Sequence, residues 1–252
     1  MKQNVRDLVL TAIFTAIIIV MTFVPFLGYI RMGAVDLTLI HIPVLIGVFF
    51  LPKRYAVVLG FVFGLGSLIQ ALTNQDPLNI PFRNPLVSIL PRMLFALVAA
   101  YVIYGFKKIE EKVKNHDVWL FGIIVVITSL GIFYSFQAIG DQFDWSLSTM
   151  SFLSLLVIGG FITAYYALIH TKKKDHILVP STLLLATVLH TFLVLLSMFF
   201  FTREMVFAEL PVDEIFGILL TVALTNGVLE SLLAVLIGTP IIVALNQLKE
   251  NQ

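Results

Sequence analysis

Apolar residues fall along this chain in long blocks, without the alternation of a half-buried strand or the single stripe of a surface helix. Runs of about 20 such residues recur, the length a helix needs to cross the hydrocarbon layer at 1.5 Å rise per residue. The blocks predict about eight spans, at about 8–29, 37–51, 55–73, 86–106, 118–139, 148–170, 177–201 and 215–245. The second is short and the last is long. Beginning beyond Asp36 and stopping at Pro52-Lys53-Arg54, the second reads as a tilted or partly buried helix. Inside lipid only helices and closed barrels satisfy every backbone polar group, and runs this long and unalternating exclude a barrel. The expected fold class is all-α: a polytopic transmembrane helical bundle forming a single membrane domain over residues 1–252.

Composition sharpens this picture. Of 252 residues, 59% are hydrophobic and 12% charged, against roughly 25% charged in a soluble domain. That leaves too little polar surface to cover a globule in water. Cysteine is absent, which removes disulfides and thiolate metal sites. A net charge of +1 gives no electrostatic footprint for nucleic acid. The opening Met1-Lys2-Gln3-Asn4-Val5-Arg6 looks like the n-region of a signal peptide. The apolar stretch from Leu8 to about Ile30 has no small-x-small cleavage site, however, and reads as a retained first span.

Charge then orients the spans. With the N-terminus placed in the cytoplasm, Lys2, Arg6, Lys53, Arg54, Lys107, Lys108, Lys112, Lys114, Lys172, Lys173, Lys174 and Lys249 all fall inside. Arg31, Arg83 and Arg203 lie in the opposite loops, where Asp141, Asp144, Asp213 and Glu214 gather. An even number of spans returns the C-terminus to the cytoplasm as well. The connector from Lys107 to Asp117 reads as a solvated helical extension or a docking surface for a partner.

Candidate chemistry sits in the few polar positions of the spans. Ala12 and Ala16 are small residues four apart on one helix face, which let a second helix approach closely or serve internal packing. Gly60 and Gly64, with Ser67, repeat the pattern. Asn84, Ser88 and Arg92 are also spaced by four and would share one face if Pro91 does not rotate the helix much. An ionised group at mid-bilayer costs roughly 2.5–3.5 kcal/mol on insertion scales, so Arg92 needs an internal partner or a ligand. Its guanidinium is a natural fork for a carboxylate or phosphate; its alternative is a structural pair with Glu230, the acid lying well inside a span. Asn226 and Glu230 share a face of the last span, and Glu230 reads as protonated, paired with Arg92 or a ligand acceptor. Gln70 and Asn74 end the third span at the outer side, while His41 and His190 each stand alone in apolar helices as packing residues or ligand contacts. No Walker, Gly-x-Gly-x-x-Gly, His-Glu-x-x-His or Gly-x-Ser-x-Gly pattern occurs, so neither an enzyme nor a cofactor is implied. Energy would come from an ion gradient or another subunit.

In order and spacing these pieces resemble the substrate-binding S components of energy-coupling factor (ECF) vitamin transporters. The Ala12/Ala16 step is similar to that family's coupling motif. Ile40 to Gly47 followed by Leu59 to Gly64 looks like its second and third helices, Ser88 to Arg92 like the opening of its fourth, and Leu224 to Glu230, on to Pro240 and Leu245, like its sixth. The resemblance covers about residues 5–107 and 178–249, the fifth helix falling at about 178–201. It leaves 108–177, a charged connector plus two extra spans, as an inserted helical hairpin. It implies a multi-pass protein of a bacterial cell membrane that performs no catalysis. Such a chain binds a vitamin-like molecule near the outer face and docks through helix one, here Ala12 and Ala16, onto a transmembrane coupling subunit. Two cytoplasmic ATPases drive that subunit, and the S component topples in the membrane to release its cargo. The pattern is most similar to the pantothenate-type branch. Arg92 would then take the carboxylate, and Asn84, Ser88, Gln70, Asn74 and Asn226 the hydroxyl and amide groups. Phe82 and Tyr29 near the mouth keep riboflavin, folate or a thiamin precursor open. Outside the family, the alternatives are a stand-alone ion-coupled transporter of a small organic acid, with Glu230 as its ion site, and a membrane-embedded enzyme or assembly factor.

Overall fold

A computed structural model of the chain describes residues 3–24, 26–32, 35–74, 79–112, 116–169, 175–208 and 210–250. Lys2, Lys114, Lys172, Lys173 and Lys174, which entered the charge argument, lie outside the described residues. Helix α1 (Gln3–Phe23) leads into a two-stranded antiparallel hairpin, β1 (Tyr29–Met32) and β2 (Val35–Thr38). Its register pairs Tyr29 with Thr38 and Ile30 with Leu37. Next come α2 (His41–Phe50), α3 (Lys53–Thr73), a 3-10 turn at Pro81–Arg83, α4 (Pro85–Ser88) and α5 (Leu90–Lys112). Then follow α6 (His116–Gln142), α7 (Leu147–Ile169) and α8 (Asp175–Val206). The last segment joins α9 (Val212–Val222), a π turn at Ala223–Gly227 and α10 (Val228–Glu250). Seven of these helical segments are long and apolar enough to cross a membrane. The protein is an all-α, multi-pass bundle with one short hairpin.

The second expected span differs in kind. Its helix covers only His41–Phe50, about 15 Å at 1.5 Å per residue, and β2 occupies the start of the expected 37–51. The expected fourth span is interrupted too. Asn84 Oδ1 accepts from the Leu86 N–H at 3.0 Å and caps the four-residue α4. A turn at Ile89 separates α4 from α5. Pro91 explains the break, because it has no N–H to offer the Val87 carbonyl four residues back.

Lipid supplies no hydrophobic force between helices, so close backbone contact must hold them. A β-carbon on Gly60 would fall 2.5 Å from the Arg92 carbonyl oxygen, and one on Gly64 would fall 2.6 Å from Ile89 Cα. These glycines let α3 and α5 touch backbone to backbone. The main core draws its buried side chains from α1, α2, α3, α5, α8 and α10, among them Ile18, Leu45, Phe63, Phe95, Leu183 and Ile242. Neither α6 nor α7 contributes to it. They form a smaller cluster, Ile124 and Tyr165 against Leu184 of α8, tied by a hydrogen bond between the Tyr165 and Ser181 hydroxyls. Basic residues gather at one end of the bundle. Lys53 Nζ stands 3.8 Å from the Tyr101 ring centroid and 5.6 Å from that of Tyr104, with Lys108 Nζ 5.9 Å from Tyr104.

Candidate functional site

A cavity of about 1130 Å³ occupies the half of the bundle away from Lys53 and Lys108. Its walls come from the end of α1, the β-hairpin, the last turns of α3, the segment 79–82, the first turn of α5, the middle of α8, the second half of α9, the π turn and the start of α10, with Ala138 of α6. Six of the nine candidate ligand residues line it: Gln70, Asn74, Arg92, His190, Asn226 and Glu230. They arrive from α3, α5, α8 and the last helix, elements as far apart in sequence as Gln70 and Glu230.

The other three stand behind the wall. Ser88 is fully buried, and its hydroxyl donates to the Phe82 carbonyl, fixing a residue whose ring does line the cavity. Asn84 caps α4, and its amide donates to the Phe201 carbonyl at 3.5 Å, linking α4 to α8. His41 is fully buried and stacks on His190, ring centroids 5.8 Å apart and 16° from parallel. The expected shared face of Asn84, Ser88 and Arg92 is thus divided by the break at Ile89. Ala12 and Ala16 are both exposed on α1, away from the cavity.

Arg92 is the dominant charge of the cavity. It is only 6% exposed. Its Nη1 donates to the Val87 carbonyl at 2.6 Å, the acceptor that Pro91 leaves free. The guanidinium carbon lies 5.1 Å from the Phe82 ring centroid and 5.5 Å from that of Phe63, a favourable placement for a cation against aromatic faces. Its buried Nε has no hydrogen-bond partner. Among the described residues no carboxylate pairs with it within 4 Å; the ion pair among them is Arg6 with Asp7, at 3.5 Å. Glu230 is occupied otherwise, its Oε1 accepting the Thr38 N–H at 2.7 Å and so fastening β2 to α10. A guanidinium held by one carbonyl and two ring faces keeps donors for an anionic ligand.

Gln70 donates from its side-chain amide to the Thr22 carbonyl, joining α3 to the end of α1. His190 packs among Phe95, Phe63 and His41 at 4.6, 5.6 and 5.8 Å, and neither of its buried ring nitrogens has a hydrogen-bond partner. The sequence reading missed Thr22, Thr38, Ser67, Asn79, Thr191 and Thr225, which also line the cavity. Helical threonines commonly return their hydroxyl to a carbonyl four residues back, as Thr22 and Thr225 do here. They carry no mark in the sequence that separates wall from packing.

The structure is thus a multi-pass bundle enclosing a polar cavity in one half, with a buried cation that no acid pairs within 4 Å among the described residues. The family model for the substrate-specific component of ECF transporters matches residues 6–138, and the chain belongs to that family. Over 102 residues it is 35% identical to the pantothenate transporter PanT of Leuconostoc mesenteroides, covering 38% of this chain and 50% of that protein. Over 167 residues it is 28% identical to the pantothenic acid transporter PanT of Lactococcus lactis subsp. cremoris, covering 58% of this chain and 81% of that one. The chain spans about half the length of the Leuconostoc relative.

Proposed function

We propose that this chain binds pantothenate in the cavity around Arg92 and carries it across the membrane as the S component of an ECF importer. The observation that carries the reading is the buried Arg92 guanidinium, anchored by Val87 and without a carboxylate partner among the described residues. A ligand carboxylate there would form the charge-assisted pair the protein omits. Gln70, Asn74, Asn226 and His190 surround it with groups suited to hydroxyl and amide contacts. Ser88 and Asn84 act from behind, by fixing Phe82 and the α4 break. Two relatives whose names specify pantothenate or pantothenic acid support this vitamin over riboflavin, folate or a thiamin precursor. On this reading the end bearing Lys53 and Lys108 faces the cytoplasm together with both termini, and the cavity opens outward. Ala12 and Ala16 meet a coupling subunit, and two separate ATPases supply the energy. The helices α6 and α7 are an insertion between the fourth and fifth family helices.

A thermal-shift screen of the purified chain against B vitamins and their precursors tests the ligand, because a compound that binds only the native state raises its apparent stability. Pantothenate is expected to give the largest shift. Arg92→Ala should weaken its binding by about 2–5 kcal/mol, the range for truncating one partner of a buried charge pair. Absence of a pantothenate shift, or an Arg92→Ala variant that is folded and binds as tightly, would overturn the reading. Arg92→Ala that simply fails to fold would point to a structural role for the guanidinium.

A further inference from the structure

The last helical segment widens at Ala223–Gly227, where it forms one π turn. Such turns sacrifice regular helix bonding and recur at functional sites. Thr225 and Asn226 of this turn face the cavity, so whatever holds the turn also sets where those side chains point. Two helices grip it. From α8, Thr191 stands so near that a β-carbon on Gly227 would fall 3.1 Å from its Oγ1. From α6, the fully buried Ser135 directs its hydroxyl at the Leu224 carbonyl inside the turn, sharing that proton with the Gly131 carbonyl of its own helix at 2.7 Å. One turn earlier, a β-carbon on Gly131 would fall 2.6 Å from Val228 Cγ2. Glycine there lets α6 lie directly against the start of α10, and Ala138 reaches the cavity wall beyond. This contact stands apart from the small Ile124–Tyr165–Leu184 cluster that holds the other end of α6.

We propose that α6 serves the binding site from outside the core, with Ser135 as a positioning residue that holds the π turn by its Leu224 carbonyl and so aims Asn226 into the cavity. The ligand arm of the test rests on the pantothenate reading; the structural arm does not. Because the chain has no cysteine, Asn226→Cys and Gln70→Cys give single reporters on two separate walls. Adding Ser135→Ala is expected to change the labelling rate of Asn226→Cys by a small methanethiosulfonate about fivefold or more, since local opening governs access. Gln70→Cys should stay within about twofold. Ser135→Thr, which keeps a hydroxyl, should restore the Asn226→Cys rate.

For pantothenate, Ser135→Ala alone should weaken binding about fivefold. Added to Asn226→Ala it should cost nothing further, whereas with Arg92→Ala the losses should multiply, as for independent sites. An Asn226→Cys rate indifferent to Ser135 overturns the proposal whatever the protein binds. Equal acceleration at both reporters overturns it too, because it marks general loosening. An Asn226→Cys change without any pantothenate binding by the unaltered chain sinks the vitamin reading and leaves the positioning role standing.

Discussion

At the scale of residues, the cavity depends on a proline that never touches it. In a regular helix the N–H of residue 91 would take the Val87 carbonyl; Pro91 has none, and Arg92 Nη1 takes that acceptor instead. The guanidinium is thereby pinned at one corner while its carbon stands 5.1 Å from the Phe82 ring centroid in the cavity wall. Pro91→Ala would restore the competing N–H. Pantothenate affinity is expected to fall about ten- to a hundredfold, the net worth of one hydrogen bond to a charged group, as titration calorimetry would register. Thermal stability should hold or rise, since the first turn of a helix tolerates proline but does not require it. Undiminished affinity would mean that Val87 does not set the guanidinium's place. The spacing of Asn84, Ser88 and Arg92 was legible in the sequence; its geometry was not. Whether Pro91 bends or breaks a helix depends on what waits to use the freed carbonyl, and that is a side chain one residue further on.

At the scale of elements, the long apolar blocks announced their helices because lipid demands both length and hydropathy. The β-hairpin escaped because its eight strand residues sit between two such blocks and their short alternation was absorbed into them. The π turn escaped because Thr225, Asn226 and Gly227, though weak helix formers, lie inside a long apolar block, and composition does not separate a π turn from an ordinary helical one before Ser135 and Thr191 pack against it. The hairpin matters to the cavity: Tyr29, Ile30 and Thr38 line it, and the Thr38 N–H bond to Glu230 Oε1 ties it to α10. That bond also separates two roles for the acid. Glu230→Gln keeps a carbonyl oxygen for Thr38, so pantothenate binding and uptake should stay within about threefold, whereas Glu230→Leu leaves the N–H unpaired at a cost of about 1–3 kcal/mol and should weaken binding accordingly. Loss of uptake in Glu230→Gln with binding intact would instead mark the carboxyl as an ion-coupling group and favour a self-sufficient transporter.

At the scale of the whole molecule, the core selects six helices and leaves α6 and α7 outside it, so the chain reads as a compact body with a hairpin braced against one flank. That arrangement leaves α1, α6 and α7 each with a broad lipid-facing side on which a partner could dock. In α1 only 28% of the spanning window is buried, and in α7 only 11%, against 50% in α8. Small residues mark both: Ala12 and Ala16 on α1, and Gly159 and Gly160 on α7, where an added β-carbon would meet nothing within 4 Å. A tryptophan on either face would therefore start from an exposed position, and folding and ligand affinity should survive. What bulk would obstruct is close approach by another helix. Ala12→Trp and Ala16→Trp are expected to abolish pantothenate uptake by cells holding the coupling subunit and ATPases, with the affinity of the purified chain unchanged; Gly159→Trp should leave uptake intact. The reverse result would move the docking face to α7 and give the flanking hairpin the role assigned here to helix one. Normal uptake in all three variants would mean that neither small-residue face makes a close helix contact during transport.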